Sequence, residues 1–107
     1  MRDDDTFPID DLEIRRIMRN RAGRLLSEAL ARGKIPQARR FRCVDCGKAA
    51  TEYDHRDYGK PLDVQPVCHS CNMYRGPAVF SGIPAARARY KRWLKSNGMI
   101  PGKKGSP

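Results

Sequence analysis

Cys43-Val44-Asp45-Cys46-Gly47 and, further on, Cys68-His69-Ser70-Cys71-Asn72 are the stretches that decide how this chain folds. Each opens with a C-x-x-C pair, and together they hold all 4 cysteines of the chain. A C-x-x-C turn sets two thiolates on one face, and Gly47 relieves the backbone after the first pair. Two such turns supply the four sulfurs that Zn²⁺ prefers in a tetrahedron, so Cys43, Cys46, Cys68 and Cys71 are read as ligands of one structural zinc. Such a site is closed, and its binding energy, on the order of 10 kcal/mol, goes into the fold. The alternatives are two redox pairs or a secreted disulfide scaffold. The start, Met1-Arg2-Asp3-Asp4-Asp5, has no apolar segment behind it and does not read as a secretory signal. No apolar run approaches the ~20 residues of a membrane span. A cytoplasmic location is therefore expected, where paired cysteines hold metal rather than oxidise.

Length agrees with this reading. The 107 residues make one domain, short enough to need a staple beside its apolar core. The net charge of +10 is unevenly spread. Residues 1–13 hold six acids (Asp3, Asp4, Asp5, Asp10, Asp11, Glu13) against Arg2, leaving 21 of the 22 lysines and arginines to the rest. A body this basic suits a phosphate polymer, whose condensed counterions it releases. Solubility and contact with an acidic protein are the other readings of the same charge. Zinc knuckles beside the charge favour nucleic acid.

Outward from the knuckles, the pattern turns helical. Asp10 and Glu13 stand in the D-x-x-E arrangement of a helix start, and Ile14, Met18, Ala22, Leu25, Leu26, Ala29 and Leu30 recur at helical spacing. The spacing predicts a helix over 10–32, ended by Gly33 with Pro36 soon after. Residues 34–42 form a basic connector into the first knuckle. Brief strands are expected at Thr51–His55 and Leu62–Val67. A last helix is expected over 84–97, with Ala86, Tyr90, Trp93 and Leu94 inward and Arg87, Arg89, Lys91, Arg92 and Lys95 outward. The expected organisation is an acidic disordered head over 1–9, one zinc domain over 10–98 with its zinc core at 43–76, and a flexible basic tail over 99–107.

The 21 residues between Cys46 and Cys68 slightly exceed the usual spacing of paired knuckles and read as a functional insertion. They carry Asp54-His55 at a strand end, Arg56, Lys60, then Leu62-Asp63-Val64, with Asn72 directly after the last cysteine. This order resembles the HNH nucleases of the ββα-metal fold, most closely the zinc-bearing, phage-encoded kind typified by recombination endonuclease VII. The resemblance covers residues 43–76 and leaves the flanking helices outside.

The resemblance implies an α+β fold: a small ββα-metal zinc core flanked by an N-terminal and a C-terminal helix. It also implies an endonuclease that hydrolyses DNA phosphodiester bonds with Mg²⁺ or Mn²⁺, leaving a 5′-phosphate and a 3′-hydroxyl. By position, Asp54 and Asn72 become ligands of the catalytic ion and His55 the general base. The chemistry agrees, because an imidazole accepts a proton near neutral pH and a carboxylate with an amide oxygen suits a loosely held hard cation. Asp63 stands where the family usually has the Asn that orients the histidine. A carboxylate there can hold the imidazole, or it can mark a member that only binds nucleic acid or a host replication or transcription protein. Arg56, Lys60 and Arg75 around the insertion, with Arg87, Arg89, Lys91 and Arg92 on the last helix, are candidate phosphate contacts. His69 is expected exposed. Double-stranded or branched DNA is the implied partner, in a bacterial host cytoplasm for a phage-encoded chain. A homodimer is a further implication, although the dimer-forming parts of such enzymes have no match here.

Overall fold

Asp10 opens the first helix: its carboxylate accepts the backbone N–H of Glu13 at 2.9 Å, satisfying a donor that a helix start leaves without a partner. In the computed structural model, which describes residues 10–98, helix α1 runs over Asp11–Ala31. Ile14, Met18, Ala22 and Ala29 are buried along one stripe. The opposite face is solvated and carries the pairs Arg16–Glu13 and Arg24–Glu28. Gly33 ends the helix in the left-handed region, at φ 73°. Its N–H donates to Leu30 O and that of Lys34 to Ala29 O, the paired bonds of a Schellman stop.

The connector makes one 3-10 turn over Ala38–Arg40. It is tied down where Tyr53 Oη donates to the Pro36 carbonyl at 2.5 Å. Strands β1 (Glu52–His55) and β2 (Val64–Val67) form an antiparallel hairpin, with Glu52 opposite Val67 and Asp54 opposite Gln65. The first knuckle turns at Gly47, φ 81°, and Val44 N donates to Pro66 O, joining it to β2. Helix α2 (His69–Arg75) follows the hairpin, with Cys68 as its N-cap. The order of strand, strand and short helix beside two cysteine turns is the α+β arrangement expected from the sequence.

The described chain groups into two compact units. The larger covers residues 18–81; its buried apolar side chains are Met18, Ala22, Ala29, Ala38, Cys43, Ala50 and Val67, and Asp54 and His55 are buried beside them. The smaller holds the start of α1 and helix α3 (Ile83–Ser96), where Arg87 pairs with Asp11. Two expectations for α3 are corrected. Lys91 is buried at 7% exposure, whereas Trp93 is 50% exposed. The helix is phased by Ala86 and Leu94, both buried, and position 91 falls on their stripe at helical spacing. The long stem of a lysine can be covered while its ammonium stays solvated or paired.

Among the described residues no helix is long and apolar enough to cross a membrane. The head over 1–9 and the tail over 99–107 lie outside the described residues.

Candidate functional site

The four cysteine sulfurs come together as the sequence requires. Their Sγ atoms all lie within 4.8 Å of one another, and Cys46 and Cys68 Sγ stand 3.8 Å apart. Four sulfurs ~2.3 Å from a tetrahedral zinc sit ~3.8 Å from each other, so the cluster fits one Zn²⁺. None is in a disulfide. Burial pushes the Cys43 thiol up, but backbone N–H groups of Cys68, Asp45 and Cys46, with the Cys46 thiol, bring it down to about 6. The sulfurs of Cys68 and Cys46, together with burial, push Cys71 up to about 12. Four thiolates this close need a cation between them to ionise together. Among the described residues this is the group of three or more His, Cys, Asp or Glu side chains placed to share an ion.

The hairpin arranges the rest by its pleat. Successive strand residues face opposite sides, so Glu52 and Asp54 share one face of β1 while Tyr53 and His55 share the other. Helix α2 serves the first face. Asn72 Nδ2 donates to Glu52 Oε2 at 2.5 Å, and His69 Nδ1 stands 3.2 Å from Glu52 Oε1. Arg75 Nη1 donates to Asp54 Oδ2 at 2.8 Å and to Gln65 Oε1 at 2.7 Å. From the following loop, Arg56 Nε donates to the same Asp54 Oδ2 at 2.6 Å, and its Nη2 donates to the Gly76 carbonyl at 2.9 Å. Asp54 is thus a buried carboxylate, 8% exposed, held by two guanidiniums.

His55 belongs to another set of contacts. Its Nε2 lies 2.8 Å from the Pro61 carbonyl oxygen, and its ring lies against Tyr58 with centroids 5.3 Å apart. Tyr58 in turn contacts Phe80. A carbonyl only accepts, so Nε2 carries the proton and Nδ1 keeps the lone pair of the neutral ring. Nδ1 has no partner among the described residues, and the His55 side chain is largely buried, at 9% exposure.

The expected role of Asp63 is corrected by this geometry. Asp63 is exposed, with no hydrogen bond from its carboxylate to His55. The loop is tightened instead by Lys60 N to Asp57 O and Asp63 N to Lys60 O, and the imidazole meets a backbone oxygen. Arg56 and Arg75, expected at phosphates, are engaged by carboxylates, as Arg87 is by Asp11. Lys60, Arg89 and Arg92 are exposed. His69 is exposed as expected.

Several residues of the site carried no obvious signal. The Pro61 carbonyl is a backbone group and leaves no mark in a sequence. Glu52 could have been found, since it lies two residues before Asp54 and so on the same face of β1. Asp45, which Arg75 grips, sits inside the first knuckle and read only as a turn residue.

Asp54 Oδ1 has one long contact, 3.5 Å from Arg56 Nη2. The Asn72 amide turns its nitrogen to Glu52, and its oxygen has no partner among the described residues. The guanidiniums of Arg56 and Arg75 on Asp54 oppose a cation there, and the cysteine cluster is the one group of three or more such side chains placed to share an ion among the described residues. Comparison with protein-family models, with curated proteins and with solved structures found no match to this chain.

Proposed function

We propose that this chain is a metal-dependent endonuclease of the HNH type, with His55 as general base. The observation that carries the reading is the bond between His55 Nε2 and the Pro61 carbonyl at 2.8 Å. A general base must present an unprotonated nitrogen in a fixed direction, and this bond sets the tautomer while Tyr58 restrains the ring. Nδ1 takes a proton from water, the water oxygen bonds to phosphorus, and the P–O3′ bond breaks. The departing 3′-oxygen collects a proton from solvent. Asp54 and Asn72 are the residues that would hold Mg²⁺ or Mn²⁺, which when bound neutralises charge on the phosphoryl and leaving oxygens.

The test is nicking of supercoiled plasmid by the zinc-loaded chain, with and without added Mg²⁺ or Mn²⁺. The wild type is expected to nick only with the added ion, and His55→Ala to lose about 10²–10⁴ in rate with its zinc content intact. Equal nicking by His55→Ala overturns the reading.

One observation favours a second reading, a module that binds nucleic acid without cutting it. Arg56 and Arg75 already neutralise Asp54, so a cation there has to compete with guanidiniums. Salt-dependent DNA binding with no cleavage under any divalent ion is the result that would select it.

A further inference from the structure

Arginine is plentiful in this chain, but much of it is committed. Arg16, Arg24, Arg56, Arg75 and Arg87 each meet a carboxylate. The stretch Arg39-Arg40-Phe41-Arg42, leading into the first knuckle, differs. Arg39 and Arg40 have no hydrogen bond or ion pair among the described residues, and Arg42 donates only to the Gly47 carbonyl, at 3.1 Å. Lys48 lies beside them, because Arg42 bridges to Ala49 and Cys43 N donates to Lys48 O. The nearest acid in sequence, Asp45, is already taken by Arg75. Four cations therefore stand at one edge without a counter-charge among the described residues.

Phe41 sits in their midst at 43% exposure. Its backbone is fixed on both sides: Phe41 N donates to Ala38 O at 2.9 Å, and Ala50 N donates to Phe41 O at 3.1 Å. The flanking Ala38 and Cys43 are buried. The ring is therefore carried by a braced edge of the hairpin unit rather than by a loose loop.

We infer that this edge, Arg39, Arg40, Phe41, Arg42 and Lys48, docks single-stranded nucleic acid. Unpaired cations attract the phosphates, and an exposed phenyl ring on a fixed backbone offers a stacking face for a base. Acidic protein would satisfy the charge but gives the ring no planar partner. Duplex would satisfy the charge too, but its bases already stack on both faces. The inference rests on the reading that nucleic acid is the substrate, and not on cleavage.

The test uses the full zinc-loaded chain and fluorescence anisotropy with a labelled oligothymidylate and a labelled duplex hairpin. Phe41→Ala is expected to weaken single-strand binding about ten-fold and duplex binding about two-fold or less, while Phe41→Tyr restores the single-strand affinity. The double variant Arg39→Gln/Arg40→Gln is expected to lower the slope of log K against log salt by about 1.4 on the single strand. Single-strand affinity unchanged in both variants, or wild type that binds no single strand, overturns the inference. A folded Phe41→Ala that loses single-strand and duplex affinity equally overturns the stacking role. Nicking that depends on His55 with no Phe41 effect removes this inference alone. A Phe41-dependent affinity without any nicking upholds it and removes the endonuclease.

Discussion

Arg75 grips Asp45 with both arms of its fork, Nε to Oδ2 at 2.7 Å and Nη2 to Oδ1 at 2.8 Å. The pair ties helix α2 to the turn between Cys43 and Cys46, and the third arm reaches Asp54 and Gln65. Asp45 is held below the usual carboxylate range by that hydrogen bond, and the two acids raise Arg75 in return. Arg75→Ala leaves the buried Asp54 with one guanidinium and Asp45 with none. A loss of about 2 kcal/mol is expected in denaturant unfolding at neutral pH. Arg75→Lys is expected to recover little, since an ammonium cannot make the bidentate contact.

Zinc removal should be more severe. Four of the seven buried apolar side chains of the 18–81 unit are alanines, with Val67 the large one that is fully covered. So small an apolar core is a weak hold on the hairpin, whereas a zinc ion on the four cysteines would contribute on the order of 10 kcal/mol. A strong chelator is expected to abolish the cooperative thermal transition of this unit in far-UV circular dichroism, and stoichiometric Zn²⁺ to restore it. Cys71→Ala is expected to retain less than one zinc per chain by metal analysis.

Arg56 competes with any cation for Asp54. Its side chain is 40% exposed, so the contact stabilises the pair by about 1 kcal/mol at most. Arg56→Gln is therefore expected to bind Mn²⁺ a few-fold more tightly than wild type in an electron paramagnetic resonance titration of the zinc-loaded chain. Asp54→Asn is expected to lose that binding. Unchanged Mn²⁺ affinity in both variants would place the ion elsewhere.

Asp57 closes the loop that carries the His55 contacts. Its Oδ1 accepts Gly59 N at 2.8 Å and Ser81 N at 2.9 Å. The Ser81 hydroxyl and N–H, with Gly59 N, hold its carboxyl below the usual range. A pKa lower in the folded state than in the unfolded one stabilises the protein above about pH 4, and that contribution fades as pH falls through the folded value. Asp57→Asn should therefore be less stable than wild type at pH 7, with the gap shrinking as pH falls below about 4 in urea unfolding. Gly59→Ala should also be destabilised, because a Cβ there would meet the Ser81 carbonyl oxygen.

How much of this was legible in the sequence follows from what each feature depends on. The zinc cysteines and the ends of α1 depend on local spacing and capping, and both were read correctly. The strands run over Glu52–His55 and Val64–Val67, shorter than expected at their starts only, by Thr51 and by Leu62 and Asp63. On α3 charge is no guide to exposure at Lys91 and Trp93, since a lysine stem can cover an apolar stripe while an indole stays half exposed. The partners of Asp54 and His55 were not legible. One is a guanidinium from a helix 21 residues away and the other a main-chain oxygen. Neither follows from residue type at a fixed offset.

The alanine-rich interior ties the life of this chain to its ion. With zinc as that ion, a copy made while it is scarce would keep only the Arg75–Asp45 pair and the Val44–Pro66 bond to hold its first knuckle. The quantity of shaped protein would then follow metal supply as well as synthesis.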